Sequence, residues 1–299
     1  MRAVSLFSGI GAFDLAARRA GLDVGVAVEI DAACRGVLAH HWPGQRLHHD
    51  VREVTADDLG PAEVMLAGWP CQDLSLAGRR RGLAGTRSSL WWEVSRLAEQ
   101  MRPSWIVLEN VPGLLTSQRG AAFAAVLRSL AGLGYGLAWR VLDAQFFGLA
   151  QQRRRVFVLG HLGDRAGRAA AAEVLLDPGR SAVRPPAARR TRETVSALTA
   201  WGLGGGGPDP KHAQAGWLRP VVLHGRPAVR KLTPLECERL MGLPDNWTRY
   251  ADRAGRTREQ SDTARYRQVG NALPVPVASW VLAGIAKAPG RWPGACGPR

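Results

Sequence analysis

Short apolar runs alternate with helically spaced segments through the first half of the chain, the pattern of a parallel α/β sheet. "AVSLF" (3–7) reads as a strand running into the turn "SGIGAF", and "DLAARRAG" as a helix stopped by Gly21. "DVGVAVEI" (23–30) is a second strand that closes on an acid. A helix over 31–41 follows it, with Asp31 as its N-cap. Buried strands are expected at "EVMLAG" (63–68), "WIVLEN" (105–110) and "RRVFVLG" (154–160), with "GLAWRVLDA" completing the sheet. Helical spacing occupies 88–101 and 120–134.

From residue 163 to 228 this periodicity gives way to Gly, Pro, Arg and Ala, interspersed with Trp201, Trp217 and aliphatic residues. A small loop-rich domain is expected there in preference to a linker. Order returns in "TPLECERLMGLPDNW" (233–247), which begins with a Thr-Pro helix start. It continues in "RYRQVGNALPVPVASWVLAGIA" (265–286), whose last part is a helix apolar enough to pack into the main domain. The expected organisation is a main domain over 1–162, a smaller one over 163–261, and a segment, 262–299, returning to the first.

Composition narrows the class. With 299 residues and 46% hydrophobic content the chain can bury a sizeable core. No uninterrupted apolar run approaches the roughly 20 residues that cross a bilayer, and the N-terminus does not read as a signal peptide. Cys34, Cys71, Cys237 and Cys296 lack metal-ligand spacing, so neither a zinc site nor a disulfide framework is expected, and the setting is read as cytoplasmic. The net charge of +15 favours a polyanionic partner, most simply nucleic acid. Nearly all of it is arginine, lysine occurring only at 211, 231 and 287, so part of the excess reflects composition and not binding.

Candidate chemistry gathers at the strand ends. Gly9 and Gly11 allow a tight turn after the first strand, although the third glycine of a dinucleotide fingerprint is absent. Glu29 ends the next strand, where an acid binds ribose hydroxyls, and Asp50 in "HHDVRE" suits an adenine amino group; an adenosine-containing cofactor follows. Cys71, in "AGWPCQDLSLAG", and Glu109, in "VLENVPG", lie at the ends of two further strands. A thiol and an acid so placed suit addition to an electron-poor ring. Gln151, Arg153 and Arg155 precede or enter a buried strand, where guanidinium groups need oxygen partners.

Taken together, these segments resemble the DNA (cytosine-5) methyltransferases, with the motifs in that family's order over nearly the whole chain. "LFSGIGAFDLA", "VEID", "GWPCQDLSLAG", "LENVPGLL", "FGLAQQRRRVFVLG", "RKLTPLECERLMGLPDNW" and "RYRQVGNALP" carry the likeness. Trp69, Ala150 and Ala12 depart from it, but none is a reacting group. The resemblance implies an α/β, Rossmann-like S-adenosylmethionine-dependent methyltransferase sheet over 1–162 with a small, loop-rich target-recognition domain. It implies S-adenosylmethionine as cofactor, S-adenosylhomocysteine as product and no metal. The implied cofactor residues are Phe7, Gly9, Ile10, Gly11, Glu29, Ile30, Asp50, Val51, Pro70, Leu90, Asn271 and Ala272.

The implied catalytic set is Cys71 as nucleophile, Glu109 at ring nitrogen 3, Arg155 at the carbonyl oxygen, and Arg153 supporting through carboxylate pairing. Gln72, Ser75, Arg79, Arg80, Arg81, Arg87 and Gln151 are expected at double-stranded DNA, the loop 72–90 closing over it, and the enzyme is expected to act as a monomer. Three alternatives remain: an RNA cytosine-5 methyltransferase, though its usual Cys-Phe-Thr tripeptide is absent, a catalytically silent DNA-binding relative, and a nicotinamide-dependent dehydrogenase.

Overall fold

The computed structural model describes residues 1–70, 90–163, 169–176, 195–196, 218–223, 226–253 and 256–288. Its centre is a seven-stranded sheet: β1 (Arg2–Leu6), β2 (Asp23–Val28), β3 (Arg46–His48), β4 (Val64–Ala67), β5 (Trp105–Asn110), β6 (Tyr135–Asp143) and β7 (Arg154–Leu162). In space they run β3-β2-β1-β4-β5-β7-β6. The order reverses between β1 and β4, so the chain leaves neighbouring strands in opposite directions and opens a crevice at their carboxyl ends.

The alternation predicts a parallel sheet, but one strand runs the other way. β7 runs antiparallel to both β5 and β6. The physical reason is the short connection between β6 and β7, residues 144–153, which holds a single 3-10 turn and cannot recross the sheet. The consequence is functional. The start of β7 lies at the carboxyl edge of β5, Asn110 pairing with Val156, so Arg153 and Arg155 reach the crevice end.

Both faces of the sheet are covered. Alternate residues such as Leu66, Val107, Phe157 and Leu159 face a layer that includes α1 (Ala12–Arg19) and residues of the later helices. Met65, Ile106, Leu108 and Val158 face the opposite layer, with α4 (Leu90–Met101) and α5 (Ala121–Gly132). Between these come α2 (Ala32–His41), capped by the Asp31 carboxylate as expected, and the single turn α3 (Ala56–Leu59). α6 (Ala170–Leu176) packs beside β6 and β7.

After the loop-rich region, α7 (Pro234–Leu240) begins with a Thr233–Glu236 capping box. Leu232, Cys237, Met241, Leu243 and Trp247 share the first core layer with α1. The hairpins β8 (Leu218–Leu223)–β9 (Arg226–Lys231) and β10 (Tyr250–Arg253)–β11 (Arg256–Glu259) flank this stretch. α8 (Asp262–Asn271) and α9 (Val275–Lys287) follow, the latter against α1. By length and composition 262–287 is apolar enough to cross a membrane, but it breaks before Pro274, and Val277, Val281, Leu282 and Ile285 are fully buried.

Candidate active site

The turn after β1 is held in a conformation that few residues adopt. Phe7, Gly9 and Gly11 all have positive φ, +55°, +54° and +79°. For an aromatic residue this is a strained state that needs support from its surroundings. Below the turn, Ser8 Oγ donates to Ser5 O, and Ser5 Oγ donates to the buried Asp14 carboxylate at 2.9 Å. To one side, Glu29 accepts from the Gly9 and Asp31 amides, 2.7 Å each, tying the first turn to the second. Burial raises the Glu29 carboxyl above its ordinary range, against the pull of those amides. Gly9 has open space where a side chain would stand, and Ile30, beside Glu29, is 57% exposed. Asp50 is buried but chelated by its neighbour Arg52, which holds its carboxyl below the ordinary range. Val51 is buried beside it and Ile10 beneath the turn. An open glycine backbone, a carboxylate and an exposed apolar residue fit an adenosine-type ligand bearing hydroxyls.

The acid and the arginines meet at the neighbouring strand ends. Glu109 Oε1 pairs with Arg155 Nε at 2.9 Å, both side chains nearly buried. Burial raises the Glu109 carboxyl, with Arg155 and Arg153 pulling it back; burial lowers Arg155, with Glu109 opposing. Glu109 lies over the exit of β4, since a Cβ added at Gly68 would stand 3.4 Å from its Oε2. The chain leaving β4 through Trp69 and Pro70 therefore departs from the sheet beside this carboxylate.

Two polar residues of the arginine region tie the later helices to the sheet edge. Arg153 is 1% exposed and donates to the carbonyls of Gly270, at 2.9 Å, and Ala272, at 2.6 Å. Its hydrogen bonds to these carbonyls make it an anchor for the end of α8, while Glu109 pairs with Arg155. Asn271, between those carbonyls, is exposed at the end of α8, where a side chain is free to meet a ligand. Gln151, expected at DNA, is instead fully buried, its Nε2 donating to Leu240 O at 3.0 Å; it fastens α7 to the sheet edge. The corner suits this because Asp143 accepts from the Arg153 amide at 3.0 Å.

Trp69, the odd residue of its motif, is 3% exposed and packs on Trp91 of α4, ring centroids 5.1 Å apart. Asn110, next to Glu109, donates to Trp69 O at 2.9 Å and accepts from the Val111 amide at 2.8 Å. It thus joins the strand end that carries the acid to the turn that precedes Cys71. Sequence reasoning quoted this asparagine within its motif but gave it no role; a polar residue ending a buried strand was the available signal. Pro70 is exposed and Leu90 half-buried. Cys71, Gln72, Ser75, Arg79, Arg80, Arg81 and Arg87 lie outside the described residues, as does the loop 72–89. No cluster of metal-ligating side chains occurs among the described residues.

The arrangement has known counterparts. The chain matches the family described as C-5 cytosine-specific DNA methylase over residues 1–200 and 211–287. It is 32% identical to Type II methyltransferase M2.BsuMI of Bacillus subtilis (strain 168) over 303 residues, 94% of this chain and 74% of that one. Type II methyltransferase M.NgoBV of Neisseria gonorrhoeae is 33% identical over 172 residues, 53% of this chain and 41% of its own. Among solved structures, the S. pombe Dnmt2 methyltransferase has a TM-score of 0.65 at 17% identity, covering 95% of this chain and 97% of that one. Entamoeba histolytica methyltransferase EhMeth gives 0.66 at 14%, over 95% and 97%. At such identities these two structures speak for the fold, which is the seven-stranded α/β arrangement described above. With the family matched along most of its length, the chain belongs to the C-5 cytosine-specific DNA methylases.

Proposed function

We propose that the protein methylates carbon 5 of a cytosine flipped out of double-stranded DNA at a specific sequence, as the modification enzyme of a type II system or as an orphan or phage counterpart. The observation that carries the reading is the nearly buried Glu109–Arg155 pair beside the exit of β4, the strand paired with the one that leads into the strained glycine turn. The base must leave the stack before any side chain can reach it, at a cost of a few kcal/mol.

In this reading the Cys71 thiolate bonds to carbon 6 of the flipped ring. Glu109, whose carboxyl is pushed upward by its burial, holds ring nitrogen 3 and the exocyclic amine, and Arg155 turns its guanidinium to the ring's carbonyl oxygen. Both contacts stabilise the negative charge that the thiolate pushes into the ring. The bound S-adenosylmethionine supplies the methyl group that carbon 5 takes. Loss of the carbon 5 proton and cleavage of the sulfur–carbon 6 bond then free the product and restore Cys71.

Phe7, Gly9, Ile10, Gly11, Glu29, Ile30, Asp50, Val51, Pro70, Leu90, Asn271 and Ala272 form the cofactor pocket in this proposal. Glu29 takes the ribose hydroxyls with the lone pairs left by its two amide bonds. Arg153 works from behind, fixing Asn271 through the carbonyls on either side of it. Residues within 163–261 read the DNA sequence; the packing of 232–247 into the core supports giving that task to the stretch before it and to the β10–β11 hairpin. Gln72, Ser75 and the arginines of the 72–90 loop grip the phosphates. The enzyme acts as a monomer in the cytoplasm.

Bisulfite sequencing of DNA from a host expressing the chain tests the activity. A single protected sequence context is expected with the wild type and none with Glu109→Gln. Unprotected cytosines throughout the wild-type DNA would overturn the proposal.

A further inference from the structure

Trp247 stands after the loop-rich stretch 163–228, 237 positions from the residue it holds. Its indole Nε1 donates to Ile10 O at 2.8 Å, and the ring is 6% exposed. Ile10 lies between the two glycines of the strained turn, so its carbonyl fixes the orientation of the peptide leading into Gly11. The indole is itself held firmly. It stacks on His41, centroids 3.6 Å apart and planes 8° from parallel, while His41 Nε2 lies 2.8 Å from Trp247 O. Trp42 meets the same indole edge-on at 5.5 Å and fills the space behind Gly11, where a Cβ would come within 2.4 Å of its ring. The turn is thus clamped from both sides: at Ser8 and Gly9 by Val28 and Glu29, neighbours in the sheet, and at Ile10 by a residue from the last third of the chain.

We infer that Trp247 is a positioning residue for the cofactor turn, through which the helical segment following the loop-rich stretch 163–228 sets the affinity for S-adenosylmethionine. The inference rests on the reading of the Phe7–Gly11 turn as part of the cofactor pocket. Without the indole N–H, the Ile10 carbonyl is a buried acceptor that has lost its donor, and the peptide between Ile10 and Gly11 regains freedom that cofactor binding must remove. Glu109 and Arg155 are not involved, so the chemistry on the base is left alone.

The test is equilibrium binding of S-adenosylmethionine without DNA, beside steady-state kinetics, for wild type, Trp247→Phe and Glu29→Gln. Trp247→Phe is expected to weaken cofactor binding by roughly fivefold, the worth of one ordinary hydrogen bond, and to raise KM for the cofactor equally, with kcat and KM for DNA unchanged. Should the smaller ring loosen the fold, the benzothiophene analogue of tryptophan at 247, which keeps the ring and lacks the N–H, must give the same loss with an unchanged melting temperature. Wild-type cofactor affinity in both 247 variants, with Glu29→Gln weakened, overturns the inference and leaves the pocket standing. If Glu29→Gln also binds as wild type, the pocket reading itself fails and the inference with it.

Discussion

Arg155 Nε and Glu109 Oε1 lie 2.9 Å apart, on adjacent antiparallel strands and nearly out of contact with solvent. Neither charge is well accommodated alone, because burial pushes the carboxyl toward its neutral form and makes the guanidinium harder to protonate. Replacing Arg155 by Ala is expected to destabilise the fold by about 3 kcal/mol, the lower end for a broken buried pair, since Glu109 relieves part of the cost by taking a proton. Glu109→Gln keeps the shape and a donor, so its loss falls on turnover: kcat drops roughly a hundred- to ten-thousandfold while the urea midpoint moves little. Equal stability losses in the two variants would contradict this account of the pair.

Asn110 is the link between that acid and the nucleophile's turn. Asn110→Ala removes the donor to Trp69 O and leaves that carbonyl buried beside Trp91. An expected kcat loss of roughly tenfold or more, with KM for the cofactor unchanged, follows from a misplaced Cys71 turn. Asn110→Asp should behave no better, because a carboxylate cannot donate to Trp69 O. Full activity in Asn110→Asp would show that the bond does not position the turn.

The buried Asp14 predicts a pH dependence with a definite sign. Desolvation raises its carboxyl above the ordinary 3.8, and the bonds from Gln45 and Ser5 only partly offset this. Folding therefore favours the protonated acid. Its contribution is fully present below the unfolded pKa and is lost as the pH rises through the folded one. Asp14→Asn keeps an acceptor for Gln45 and a group facing Ser5 but carries no charge. Urea titrations of both proteins between about pH 4 and pH 8 should show the wild type losing stability relative to the variant as pH rises. A gap independent of pH, or one that grows toward acid, contradicts the assignment.

The strands, the Asp31 cap and the apolar last helix were legible because each depends on local chemistry: alternation, a capping side chain, a run of aliphatic residues. The reversed direction of β7 was harder to read. It follows from the shortness of 144–153, while the middle of the strand is as apolar as the parallel strands of the sheet. Site residues at strand ends, such as Glu29 and Glu109, could be read because an acid closing a buried strand is conspicuous. For Gln151 and Arg153 the need for oxygen partners was legible, but not that backbone carbonyls of Leu240, Gly270 and Ala272 are among them, since no residue type announces a carbonyl. Trp247 and Ile10 touch only because α7 and the loop after it fold back onto α1 and α2, a relation that composition and spacing do not encode.

The most direct measurement of the central claim is covalent trapping. A duplex carrying 5-fluorocytosine in the methylated context has no proton to lose from carbon 5, so the adduct on Cys71 persists once the methyl group has been transferred. With S-adenosylmethionine present, the wild type is expected to give a denaturation-resistant protein–DNA complex whose cross-linked peptide contains Cys71, and Cys71→Ser to give none. A wild type that methylates ordinary DNA yet forms no such complex, or a Cys71→Ser protein that forms it unchanged, would contradict the mechanism.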